Sequence, residues 1–257
     1  MENNIRDVLG KVAGNVKLIV KGAGEENFLL AKEIDTVSSS ASLIKVPILF
    51  AVLNYIEKEH KSLNQIMNIS PENRVDFSVL SELQTEQYSL YELLVWMIIA
   101  SDNTATNELI DFIGIEKLNE YFSYIGLTQT SIQRKMMDFV QMEKGFDNVT
   151  TARDMALLFT KIYRQELVTK KYSQLAIDIL SRQRDHEALK RFIVDDVTIA
   201  HKTGSLETVE HDVGIIYSAK QDYIIGVFIT NLNNNNNEAK KTIGKVSKII
   251  YEHLGKA

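Results

Sequence analysis

Hydrophobic positions along the chain change their period twice. Near the N-terminus Val16, Leu18 and Val20 alternate with Asn15, Lys17 and Ile19, the turn-forming Lys21-Gly22-Ala23-Gly24 follows, and Phe28 to Ile34 resumes the strand pattern. This predicts a hairpin, preceded by a helix over Ile5–Gly14. From Ser42 to about Leu180 the spacing is helical: Ile48, Ala51, Val52 and Tyr55 share one face, as do Leu90, Leu93, Leu94 and Met97. After Ile193 three strand-like runs appear, Val197 to Lys202, Val213 to Ser218 and Tyr223 to Thr230. Turn signals at Thr203-Gly204-Ser205 and Lys220-Gln221-Asp222 divide them. The asparagine run Asn233 to Asn237 reads as a solvated loop, and Glu238 to His253 as a closing helix.

Strands at both ends can share one antiparallel sheet, with the helical block as a second body. The chain therefore reads as α+β, with residues 1–38 and 188–257 forming a sheet lobe and residues 39–187 a helical lobe. The crevice between them is the expected place for a site.

Composition narrows the function. With 257 residues, 45% hydrophobic and 25% charged, the chain can bury a large core, and a net charge of -5 argues against a nucleic-acid surface. The absence of cysteine excludes disulfides, thiolate metal sites and a cysteine nucleophile. The histidines His60, His186, His201, His211 and His253 show no metal-ligand spacing, so neither a metal nor a cofactor is expected. The longest apolar run, Leu93 to Ala100, is too short to span a bilayer. The polar, acidic Met1-Glu2-Asn3-Asn4 predicts a cytoplasmic chain, or a secreted one if an export signal has been removed.

Three short motifs carry chemistry. In Ser42-Leu43-Ile44-Lys45 the serine sits at a predicted helix start with a lysine three residues on, on the same face. A serine needs such a neighbouring base to act as a nucleophile, and a helix N-terminus favours an oxyanion. Ser101-Asp102-Asn103 falls between two helices, where Ser101 offers a second hydroxyl and Asn103 an amide to the crevice. Lys202-Thr203-Gly204-Ser205 ends a predicted strand. There Lys202 and Thr203 would bind a carboxylate, Gly204 would let a substrate backbone approach, and the Ser205 N–H would join that of Ser42 at an oxyanion. Each motif alone is as readily a helix cap, a surface lysine or a turn; their order and settings together favour acyl transfer.

These motifs resemble the class A serine β-lactamases and their penicillin-recognising relatives. So do the longer stretches Ser42-Leu43-Ile44-Lys45-Val46-Pro47, Ser101-Asp102-Asn103-Thr104-Ala105, Thr150-Thr151-Ala152-Arg153-Asp154-Met155, and His201-Lys202-Thr203-Gly204 followed by Gly214-Ile215-Ile216. The resemblance implies a five-stranded antiparallel sheet flanked by terminal helices plus an all-helical lobe. It also implies Ser42 as acylated nucleophile, Lys45 as its activator and Ser101 as proton relay to the leaving nitrogen. Asn103, Lys202, Thr203, Gly204 and Ser205 become the substrate-binding set, for a β-lactam or a D-Ala-type peptide.

The resemblance breaks in one loop. Class A enzymes carry there a glutamate that activates the deacylating water, two residues after an arginine. Aligned on Arg134, that position holds Met136, and the family's loop asparagine is replaced by Val140. A thioether cannot take a proton from water. Asp138 is a candidate displaced base, with a solvated loop acid as the alternative, and Arg134 is expected to pin the loop through Asp147. A family arginine before Gly214 is replaced by Val213; His211 is either its substitute or a solvated strand-end histidine. The sequence thus predicts a β-lactamase-like serine hydrolase with uncertain turnover. A penicillin-binding DD-peptidase, a non-hydrolytic acylating sensor and an amidase for another carboxylate-bearing molecule are its competitors.

Overall fold

The computed structural model describes residues 1–83 and 85–256. Helix α1 (Glu2–Leu9) leads into strands β1 (Asn15–Gly22), β2 (Leu30–Lys32) and β3 (Ser38–Ser39), then a 3₁₀ turn (Ala41–Ile44) that runs directly into α2 (Lys45–Lys58). There follow β4 (Ile66–Asn68), a 3₁₀ turn (Pro71–Asn73), α3 (Val79–Leu83), β5 (Gln87–Ser89), α4 (Leu90–Ile99), α5 (Asn103–Ile113) and α6 (Ile115–Tyr124). Next come α7 (Phe139–Glu143), β6 (Val149–Thr150), α8 (Ala152–Tyr163) and α9 (Lys170–Ser181). The chain ends with β7 (Thr198–Leu206), β8 (Val209–Tyr217), β9 (Tyr223–Thr230), α10 (Asn236–Ile250) and a last turn (Tyr251–Gly255).

The main sheet has the order β2-β1-β9-β8-β7, every pairing antiparallel, so the N-terminal hairpin and the C-terminal strands meet where β1 pairs β9. This is the predicted α+β architecture. Both faces of the sheet are covered. Val16, Leu18, Val20, Ile225 and Val227 pack with Ile5, Ile243, Val246 and Ile250 from α1 and α10. Ile19, Val213, Ile215 and Phe228 pack on the other side with the core of α2, α4, α5 and α8. Double burial explains why β9 reads as an unbroken apolar run rather than an alternation.

Several boundaries differ from the sequence reading: α10 begins at Asn236, inside the run read as a loop, and ends at Ile250, and β2 keeps only Leu30–Lys32 of the strand read over Phe28–Ile34. The opening helix stops at Leu9 rather than Gly14, with Gly10 capping it. The segment read as uniformly helical contains two small sheets, β3 with β6 and β4 with β5. Most consequentially, Thr203-Gly204-Ser205 is not a turn. Strand β7 continues through it to Leu206, the hairpin turns at Glu207-Thr208, and β8 begins at Val209 instead of Val213. The glycine signal misleads because Gly204 serves packing: a Cβ there would lie 3.1 Å from the Ser40 carbonyl oxygen and 3.2 Å from the Ser42 nitrogen.

Candidate active site

Ser42 sits in the 3₁₀ turn, not yet in α2, and the turn is held from two sides. Ser40 N and Ser40 Oγ both donate to the Asn148 carbonyl, at 2.8 and 3.0 Å. Gly204 of β7 presses from the other side, against the main chain of Ser40 and Ser42. Ala41, just before Ser42, has a left-handed φ of 42°.

Lys45 opens α2, whose first turns are wholly buried, and its own side chain is 0% exposed. Its Nζ donates to Ser101 O (2.6 Å), Asn103 Oδ1 (2.8 Å) and Ser101 Oγ (3.2 Å). Burial holds its pKa well below the ordinary lysine value; the neighbouring Lys202 charge pushes the same way and buried Asp102 pulls back.

Ser101 follows the end of α4 with φ 53°, another left-handed conformation outside glycine. The next residue, Asp102, makes this turn possible. Fully buried, it caps α5 by accepting from Ala105 N at 2.8 Å, and it also accepts from Ser78 Oγ and Leu80 N. Asn103 uses its Nδ2 toward the Phe77 carbonyl at 3.3 Å.

Lys202 reaches in from the edge strand β7. Its Nζ donates to Ser101 Oγ at 3.0 Å and to the Thr203 carbonyl at 2.8 Å, leaving one N–H free for a ligand. Burial lowers its pKa to about 8, against the pull of Asp212 and Asp185. The sequence reading did not single out Asp212: it sits beside Thr203 across the β7–β8 pair, 2.8 Å from His201 Nδ1, and its other oxygen accepts from Leu189 N. Ending β7 at Lys202 hid that cross-strand neighbour.

Ser42, Ser101, Asn103, Thr203 and Ser205 line one cavity of about 800 Å³, and buried Lys45 and Lys202 reach Ser101 from behind. Ser205 Oγ donates to Glu210, a fully buried acid whose carboxyl burial pushes up.

A sequence model described as the Beta-lactamase enzyme family matches residues 1–254. The chain belongs to that family. Among curated β-lactamases, one from Bacteroides uniformis is 24% identical over 232 residues, 83% of this chain and 78% of the relative. The fold is similar to that of a β-lactamase from Chitinophaga pinensis DSM 2588, with a TM-score of 0.91 at 19% identity over 98% of each chain. It is also similar to PBP-A in a leucine-to-glutamate variant solved as an acyl-enzyme with penicillin G. That comparison gives a TM-score of 0.88 at 27% identity over 98% of this chain and 94% of that one. The protein is thus a serine hydrolase of the β-lactamase type.

In this β-lactamase relative the loop from Arg134 to Asn148 closes on itself. Arg134 Nη2 and Nε donate to Asp147 Oδ1 at 2.7 and 3.0 Å, the expected pair. Asn148 Oδ1 accepts from Gln133 N and Arg134 N. Asn107 on α5 grips Met136 by both backbone atoms, accepting from its N at 2.7 Å and donating to its O at 3.3 Å. The Met136 side chain lines the cavity. Asp138 does not: its carboxylate caps α7 by accepting from Gln141 N.

His211 is neither a carboxylate ligand nor a solvated strand end. It is 0% exposed at the third position of β8, 5.5 Å from the Phe228 ring, with Nε2 3.1 Å from the Ser39 carbonyl oxygen and Nδ1 without a side-chain hydrogen-bond partner among the described residues. Burial pushes its pKa down to about 4, so the ring is neutral at pH 7.

Proposed function

We propose that this hydrolase opens β-lactams by acylation at Ser42 and releases the acyl group slowly. The observation that carries the reading is the environment of Ser101 Oγ, which accepts one hydrogen bond from Lys45 and one from Lys202. Once Lys45 has taken the Ser42 proton and is charged, both lone pairs are taken and the hydroxyl proton points away from the lysines, free for the leaving nitrogen in the cavity that Ser101 lines.

Neutral Lys45, favoured by its depressed pKa, takes the Ser42 hydroxyl proton. Ser42 Oγ forms a bond to the lactam carbonyl carbon, and the carbon–nitrogen bond breaks as the tetrahedral oxyanion collapses. The Ser101 proton passes to the leaving nitrogen, and Lys45 resupplies Ser101 across their 3.2 Å contact. Protons balance, and Lys45 returns to the neutral amine. The free N–H of Lys202 and the Thr203 hydroxyl receive the substrate carboxylate, and the backbone N–H groups of Ser42 and Ser205 receive the oxyanion.

Deacylation needs a base for water, and the loop offers Met136 at the cavity wall. Similarity to PBP-A supports the second reading, a penicillin-binding peptidase-type enzyme that shares the acylation step. Intact-protein mass spectrometry after mixing with a penicillin separates these. A long-lived adduct absent from Ser42→Ala is expected. Free protein with consumed drug would overturn slow deacylation, and labelling of Ser42→Ala would overturn the nucleophile.

A further inference from the structure

We infer that Glu210 is a positioning residue for acylation: with Asn236 it ties Ser205 to the inner sheet and so fixes the backbone N–H that meets the oxyanion. This rests on the acylation reading above, which gives the Ser205 N–H that task, and adds the residues that hold it there.

Ser205 is poorly placed to keep a fixed position by itself. It lies on β7, the edge strand, one residue pair from the Glu207-Thr208 turn, and it is exposed. Strand ends with few buried contacts open at low cost. An oxyanion donor, by contrast, has to be in place before the charge develops. Glu210 supplies the fixed point. It stands directly across from Ser205 on β8, a strand paired on both sides, and it is 0% exposed. Ser205 Oγ donates to Glu210 Oε2 at 2.8 Å.

Asn236 closes the arrangement. It opens α10, and its Nδ2 lies 3.0 Å from Glu210 Oε2, 2.9 Å from the Leu206 carbonyl oxygen and 3.1 Å from that of Val209. One amide group thus bridges both strands of the hairpin and the acid that holds Ser205. Packing alone does not account for an acid at this position. Glu210 Oε1 is buried without a hydrogen-bond partner among the described residues, a cost in free energy that an apolar side chain would not carry. The return lies at Oε2, one acceptor for two donors from two elements, Ser205 on β7 and Asn236 on α10.

The test measures the acylation rate constant and the dissociation constant of a chromogenic cephalosporin separately, from the concentration dependence of stopped-flow acylation. In Glu210→Leu, which removes the acceptor, the rate constant is expected to fall about tenfold while the dissociation constant stays within about twofold of the parent's, because the oxyanion arises only on the way to reaction. Glu210→Gln keeps an acceptor oxygen and is expected to restore most of the rate. Ser205→Ala and the double variant Ser205→Ala/Glu210→Leu complete a cycle in which the second substitution is expected to add little to the first. Asn236→Ala, at the half-buried start of α10, is expected to lower the rate in the same way, and it carries the test should Glu210→Leu not fold. Unchanged rates in Glu210→Leu and Asn236→Ala, a loss confined to the dissociation constant, a Gln variant as slow as the Leu variant, or additive losses in the cycle would each overturn the positioning role while leaving acylation intact. No acylation of the parent protein would remove the acylation reading itself, and this role with it.

Discussion

Lys45 Nζ and Lys202 Nζ converge on the same oxygen, Ser101 Oγ, from 3.2 and 3.0 Å. Two buried cations sharing one acceptor cannot both keep ordinary lysine pKa values, and the division of labour follows. Lys45 is the more strongly depressed, which suits the neutral base of the proposed mechanism, whereas Lys202, near 8, keeps its proton at neutral pH, which suits the proposed carboxylate contact.

The pH profile of acylation should therefore be bell-shaped. Its acid limb rises as Lys45 loses its proton, well below the usual lysine range, and its alkaline limb falls as Lys202 loses its own near pH 8. Arginine stays charged across this range, so Lys202→Arg should flatten the alkaline limb. Stopped-flow rates from pH 5 to 10 check this; a limb near 8 that survives in Lys202→Arg would belong to another group.

Met136→Glu should speed deacylation, by about 10²-fold or more if the carboxylate reaches the water, the usual worth of a positioned base. Asn107 already clamps the backbone of residue 136, and the side chain already lines the cavity. Adduct lifetimes report the outcome. An unchanged lifetime would mean that something other than the base limits release. The parallel variant Asp138→Ala should leave the lifetime as it is, because Asp138 caps α7.

Gly204→Ala tests whether β7 holds the nucleophile's turn. The new methyl would lie 3.1 Å from the Ser40 carbonyl oxygen and 3.2 Å from the Ser42 nitrogen, both main-chain atoms with little room to yield. A displacement of a few tenths of an ångström should lower the acylation rate about tenfold, given how steeply reactivity falls with misplacement. The melting transition should remain cooperative. Full acylation in this variant would show that the turn has slack.

The grouping of Ser42, Lys45, Ser101 and Lys202 was legible in sequence because short motifs hold these polar residues at fixed spacings, and the fold brings the three motifs to one cavity. What hides is whatever serves packing. Gly204 reads as a turn because its real neighbour, the Ser42 turn, lies 162 positions away in the chain, and ending β7 there concealed the Thr203–Asp212 pairing. The loop side chains of the cavity were equally hidden: Met137 and Met142 are unremarkable in a loop until the Arg134–Asp147 pair folds them toward the cavity. Polar residues inside the sheet defeat pattern reading altogether, since alternation assigns His211 to water.

Buried His211 makes the fold acid-sensitive. Its folded-state pKa of about 4 lies below the ordinary histidine value of 6.5, so as pH falls the unfolded chain binds a proton first. The stability that depends on a neutral ring is intact above 6.5 and drains away between 6.5 and 4, by roughly 3 kcal/mol. Burial is the structural reason: a charged ring there has lost its water, and the Ser39 and Glu210 main chain offsets only part of that loss. His211→Gln keeps a donor for the Ser39 carbonyl but cannot titrate. It should cost stability at pH 7.5 yet narrow its deficit, or cross over, by pH 4.5 in urea melts. Parallel curves for the two proteins across that window would place the acid sensitivity at some other group.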